Sequence, residues 1–124
     1  MSILLLLAIQ GLSPLSSDEG WQPFQAWGAS TELSVSDLAT ARATRLRVRH
    51  GLGPDEDPDP WYVVVRHRNA AGDITREGYI CGRGHVDDEY GIHPILPHTI
   101  TGEIYDRACY GEGETPVPGS DPES

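Results

Sequence analysis

A chain of 124 residues with 38% hydrophobic side chains, 14 glycines and 10 prolines has material for one modest core and a good deal of turn. Its 19 acidic side chains against nine basic ones leave a formal charge of −10, which opposes nonspecific attraction to nucleic acid or to an anionic membrane. No phosphate-binding glycine loop, dinucleotide fingerprint, Gly-x-Ser-x-Gly elbow or His-Glu-x-x-His is present, so neither a familiar enzyme nor a bound cofactor is expected.

The chain opens with an apolar run, Ile3 to Ile9, that is far short of the roughly 20 residues needed to span a bilayer. No positive charge precedes the run and the cleavage site after it is poor, so it matches a secretory signal weakly. Residues 1–30 are therefore expected to form an irregular arm. Its sticky positions are Ile3, Leu4, Leu5, Leu6 and Leu7, followed by Trp21, Phe24 and Trp27 at i, i+3 and i+6 along one side of a turn. The plainer alternative for these three rings is that they cap the domain's own core.

Residues 31–110 are expected to form a compact β-rich domain. "SDLATARATRLRVRHG" fits two descriptions. As a helix, it has Ser36 as N-cap, Asp37 in the first turn and Gly51 just past the end. As a strand, its second half alternates strictly, with Arg45, Arg47 and Arg49 on one face. The expectation adopted is a helical turn near residues 36–41 and then a strand. "GLGPDEDPDP", with three prolines and four acids, is a loop. "WYVVVRHRN" (Trp61–Asn69) is β-branched and aromatic, and the turn "NAAGD" returns the chain through "ITREGYIC" (Ile74–Cys81), which predicts an antiparallel hairpin with Gly72 in its turn. Val63 and Val65 should then face away from Val64 and Arg66. "HVDDEYGIH" reads as a solvated acidic loop, and "TITGEIYDRACY" as a last strand or a short helix from Thr101 to Gly111. Residues 111–124, acidic and rich in proline and glycine, are expected to be a disordered tail.

The fold class that follows is mainly β, or α+β: a small single domain resembling a β-sandwich or barrel, with an irregular N-terminal arm and a disordered acidic C-terminal tail.

Two constellations carry possible chemistry. Cys81 and His85 stand at Cys-x3-His spacing, and His93, His98 and Cys109 complete a nominal ligand set. Structural zinc sites bring their ligands in close pairs, and no second pair is present, so no metal is expected. Cys81 and Cys109 form a disulfide or remain two buried thiols; the sequence leaves both open. The second constellation is basic. If the strand carrying Arg45, Arg47 and Arg49 lies beside the one carrying Arg66 and Arg68, five guanidiniums form one patch suited to a phosphate backbone or an acidic partner. The plainer alternative is a solvated face whose arginines pair with nearby acids.

The function these features suggest is a non-catalytic interaction protein or structural component of a larger assembly, such as a virion, a secretion apparatus or a surface complex, docking a protein partner or further copies of itself through the arm. Direct nucleic-acid binding and a transmembrane segment are not expected. Two alternatives stand beside it: a secreted or periplasmic small domain with Cys81 bonded to Cys109, and an acidic inhibitor of a nucleic-acid enzyme. A soluble, cytoplasmic or assembly-associated location fits the first better than secretion does.

Overall fold

The computed structural model describes residues 20–114. Ile3, Leu4, Leu5, Leu6 and Leu7 and residues 115–124 of the acidic tail lie outside the described residues. Six strands and two helices follow in chain order: β1 (Trp21–Ala26), β2 (Ala29–Ser34), α1 (Val35–Arg49), β3 (Trp61–Arg68), β4 (Ile74–Cys81), β5 (His85–Asp88), β6 (Gly91–Pro94) and α2 (Ile100–Tyr110). The strands form one sheet in sequential order, every neighbour antiparallel. The class is thus the small mainly β or α+β domain that the sequence predicts, with two helices as its second layer.

The central hairpin is as expected. Trp61 pairs with Cys81 and Arg68 with Ile74, and Gly72 takes the left-handed φ of 92° in the connecting turn. Asn69 organises that turn, its side-chain oxygen accepting from the backbone N–H of Ala71 and of Asp73, each at 2.9 Å. Alternation then sorts the strands into two faces. Leu33, Val63, Val65, Tyr79, Cys81 and Val86 lie on one face and are buried, together with Ala41 of α1 and Ile104, Ala108 and Cys109 of α2. Both helices cover this face.

The other face carries no described element. Tyr62, Val64, Ile80 and Ile92 stand on it, with Tyr62, Ile74 and Ile92 more than half exposed at 51%, 55% and 62%. The Tyr62 ring lies across Gly78 and fills the space a Cβ there would take. Its hydroxyl donates to Asp87 at 2.9 Å, tying β3 to β5 over the intervening strand.

Three expectations are corrected. The strand over residues 44–50 does not form; α1 runs unbroken to Arg49. Its N-cap is Ser34 rather than Ser36, the Ser34 hydroxyl accepting from Asp37 N–H at 3.2 Å, while Gly51 sits past the end at φ 87° as the helical alternative has it. Alanines and arginines are good helix formers, and Leu46, which a strand would set on the face opposite the arginines, is 60% exposed on the helix. Residues 21–30 are not irregular: β1 and β2 pair from Trp21–Ser34 to Ala26–Ala29. Their turn places Trp27 and Gly28 at φ 52° and 80°, the doubly left-handed arrangement that matches strand twist. "HVDDEYGIH" is likewise the β5–β6 hairpin rather than a loop, in register from His85–Pro94 to Asp88–Gly91.

Candidate functional site

The arginine patch is dissolved by the helix. Arg45 and Arg49 fall one turn apart on α1, while Arg47, two residues from each, points away from them. Arg45 bonds Glu114 through Nη2, at 3.0 Å to Oε1 and 3.3 Å to Oε2. On the sheet, Arg66 takes Asp37, which also caps the Arg66 backbone N–H at 2.8 Å where β2 no longer reaches. Arg68 pairs with Glu32 at 2.7 Å and stacks over the Trp21 ring at 4.7 Å. These side chains fasten the fold; they do not form one basic surface.

The three aromatic rings of the former arm also separate. Trp21 stands on the open face and Phe24, three residues on, packs against the core on the other. Trp27, at the turn, donates through its indole N–H to Glu103 at 2.8 Å and meets the His98 ring edge-on at 4.6 Å.

Cys81 and His85 point to opposite faces of the sheet, since Cys81 shares the helix-covered face with Tyr79 while His85 pairs with Ile80 on the open one. Cys81 is bonded to Cys109, with both residues fully buried and their Cα atoms 5.5 Å apart. Among the described residues no group of three or more His, Cys, Asp or Glu could hold a metal ion, and no helix is long and apolar enough to cross a membrane.

A polar cluster occupies the far end of the helix-covered face. Tyr79 donates to Glu77 at 2.8 Å, and His67 Nε2 lies 3.4 Å from the same oxygen, close enough for charge to count although hydrogen-bond geometry is not met. The neighbouring His67 and the Tyr79 hydroxyl hold the Glu77 carboxyl below its ordinary value against the opposing effect of burial. Burial, then the Glu77 charge, raises the Tyr79 phenol. Across the β5–β6 hairpin, Asp88 Oδ2 is 2.9 Å from His93 Nε2, and His93 Nδ1 is 3.2 Å from the Pro94 carbonyl. Both ring nitrogens are thus engaged, which makes the pair a clasp and leaves no nitrogen for a substrate.

The clasp has a defined pH behaviour. The Asp88 bond, then the Pro94 carbonyl, raises His93 above the ordinary imidazole value; the His93 bond, then the Tyr90 N–H, lowers Asp88. The histidine's contribution is complete below its unfolded value and is lost as pH rises through its raised one. The carboxylate's is complete above its unfolded value and is lost as pH falls through its lowered one. The hairpin is therefore tightest between about pH 4 and 6.5. In an NMR titration His93 should titrate above a free-imidazole control, and Asp88→Asn should bring it down; an unmoved value in that variant refutes the clasp.

A partly enclosed space lies at the opposite end, where the C-terminal ends of both helices meet the 51–60 loop. This cavity of about 330 Å³ is lined by Arg45, Arg49, Asp57, Pro58, Trp61, Gly82, Cys109 and Tyr110. Arg49 Nη2 donates to the Glu56 carbonyl at 3.3 Å, which draws the loop over the helix end. The Arg45 guanidinium lies close over Gly111, whose left-handed φ of 75° as the C-cap of α2 favours glycine. The Tyr110 ring meets Trp61 edge-on at 5.9 Å, and burial with a Tyr105 hydrogen bond pushes its phenol up to about 12, so the hydroxyl keeps its proton at neutral pH. Of the lining, sequence reasoning singled out Arg45, Arg49 and Cys109; it missed Asp57, Trp61 and Tyr110, which only the chain's return brings together. The exposed Tyr62 and Ile92 were also missed, although Tyr62 follows from the same alternation that buries Val63 and Val65.

No protein-family model, curated protein sequence or solved structure matches this chain.

Proposed function

We propose that the protein is a non-catalytic interaction domain, a structural component of a larger assembly that docks a protein partner on the open face of its sheet. The observation that carries this reading is that exposed Tyr62 and Ile92 stand on either side of Asp87, with Ile80 beside Tyr62, on a face that no described element covers. Patches of this kind mark interaction surfaces in stable proteins. The sheet edges are poorly suited to docking a strand, because β1 carries Pro23 and β6 ends in Pro94, and proline on an edge discourages strand addition. Trp21, in the first described strand, belongs to the open face, and the proposal extends the docking surface to the preceding apolar residues Ile3, Leu4, Leu5, Leu6 and Leu7.

The test uses photo-crosslinking side chains at Ile92 and, as control, at exposed Ala43 on α1. A discrete adduct is expected from position 92 alone, weakened by deletion of residues 1–19 while the melt stays cooperative. Adducts of equal yield from both positions count against the face.

The Cys81–Cys109 bond favours a second reading, that the domain works in an oxidising compartment as a secreted or periplasmic protein. Two alkylatable thiols per chain in protein taken from its native source would remove it.

A further inference from the structure

After α2 the described chain turns back over the helix it has just completed. Gly111 takes a left-handed φ of 75°, and its N–H returns to the Arg107 carbonyl. Arg107 then holds the returning backbone, donating through Nε to the Glu112 carbonyl at 3.1 Å and through Nη2 to the Gly113 carbonyl at 2.9 Å. Arg45 of α1 takes the Glu114 carboxylate at 3.0 Å. The chain is thus drawn between the two helices, and Glu114 stands at a groove of about 270 Å³. One wall of that groove is a stripe of α1, with Val35, Leu38, Ala39 and Arg42 at i, i+3, i+4 and i+7. Gln22 of β1 and Arg107 of α2 line the rest. The stripe is apolar at three of its four positions, yet among the described residues Val35 is 44% exposed and Ala39 is exposed as well.

We propose that Thr115, Pro116, Val117 and Pro118, the residues that follow Glu114, occupy this groove and cover the α1 stripe. The reach fits. From Arg45 back to Leu38 the helix rises about 10 Å, and four residues in polyproline conformation span about 12 Å. The composition fits too. Two prolines in four residues hold the segment extended before it docks, which lowers the cost of ordering it. They also leave only two backbone N–H groups to satisfy against an apolar stripe. Val117 supplies the apolar side chain that meets Val35, Leu38 or Ala39. Charge selects this occupant over the apolar run Ile3–Ile9. Arg42 and Arg107 line the groove, and every charged side chain in residues 111–124 is acidic, whereas residues 1–10 carry none. Ten residues also separate Ile9 from Gly20, while Thr115 adjoins the groove directly. At about 270 Å³ the space falls below the roughly 300–1,000 Å³ of small-molecule sites, which suits a strip of side chains better than a free ligand. The segment is a strap: seated, it hides an apolar helix face, and its release bares a docking surface on the helix side of the domain. This holds whether or not the open sheet face docks a partner.

The test is NMR of the full, oxidised chain with labelled methyl groups. Contacts are expected between the Val117 methyls and those of Val35, Leu38 or Ala39. Val117→Ser removes the docking side chain, and Ala39→Glu sets an acid at an exposed position of the groove. Either variant should abolish those contacts, shift the Val35 methyls, and bring the Pro116 and Pro118 carbon shifts to those of a free peptide of residues 113–122. The buried Val63 and Val65 methyls should stay in place, which reports an intact fold. Val117→Ser decides the matter if Ala39→Glu does not melt cooperatively. A mixture of labelled and unlabelled chains separates a strap from exchange between copies. Val117 contacts that form between chains, contacts of Ile3–Ile9 at Val35 in their place, or free-peptide shifts at Pro116 and Pro118 in the unaltered chain each overturn the proposal.

Discussion

Reduction of the Cys81–Cys109 bond should lower the stability of the domain by about 3–4 kcal/mol, because the bond closes a loop of sequence separation 28 and removes that much chain entropy from the unfolded state. For a domain of this size the shift in melting temperature is roughly 15 °C. The bond joins the C-terminal residue of β4 to the penultimate residue of α2, so it fixes the last helix to the middle of the sheet. Both cysteines are fully buried, and access by a reductant therefore requires local opening of α2. The measurement is thermal unfolding with and without reductant, alongside Cys81→Ser with Cys109→Ser, and with thiols counted in each sample. Equal melting temperatures in fully reduced and fully oxidised protein would refute it.

What the sequence made legible was local. The valine triplet between Trp61 and Arg66 specifies a strand by composition, and Asn69 with Gly72 specifies the turn that reverses it, so that hairpin needs no distant partner. Gly51 and Gly111 end their helices through left-handed backbone that few other residues adopt. The second half of α1 was obscure because Arg45–Arg49 satisfy two periodicities at once. Only the packing of Ala41 and Leu38 under the helix, which is a tertiary fact, decides between them.

The N-terminal hairpin was illegible for a different reason. Its turn uses Trp27, a bulky residue, at positive φ, and the support comes from Glu103 and His98, far along the chain. The acids are hard to read for the same reason. Asp37, Glu32, Asp87 and Asp88 look like solvated charge in the sequence, yet each is the specific partner of Arg66, Arg68, Tyr62 or His93. Such pairs join elements that come together only after folding, and no spacing along the sequence announces them. These pairs leave the net charge of −10 unchanged but fix where part of it sits.

Tyr79→Ala should be among the most damaging single substitutions, at about 4 kcal/mol, enough to leave a small domain largely unfolded at physiological temperature. Tyr79 is fully buried at the centre of the sheet, opposite Val63 on one side and Val86 on the other, with the Tyr105 ring of α2 edge-on at 6.3 Å. Truncation to alanine removes the ring that the strands and α2 share, and a rigid sheet cannot collapse into the space. Tyr79→Phe separates packing from polarity. It keeps the ring and loses the hydroxyl that donates to Glu77, whose side chain is only 15% exposed. A cost of about 1–2 kcal/mol is expected, because a mostly buried carboxylate then loses its best donor and retains only the His67 ring nearby. Glu77 is held below its ordinary value partly by that hydroxyl, so Tyr79→Phe should raise it. The stability this carboxylate contributes above its unfolded value should then be lost at a higher pH as the solution is acidified. Denaturant unfolding of the three proteins at neutral and mildly acid pH measures both effects. A Tyr79→Phe variant as damaged as Tyr79→Ala would show that the hydroxyl, and not the shared ring, holds the two layers together.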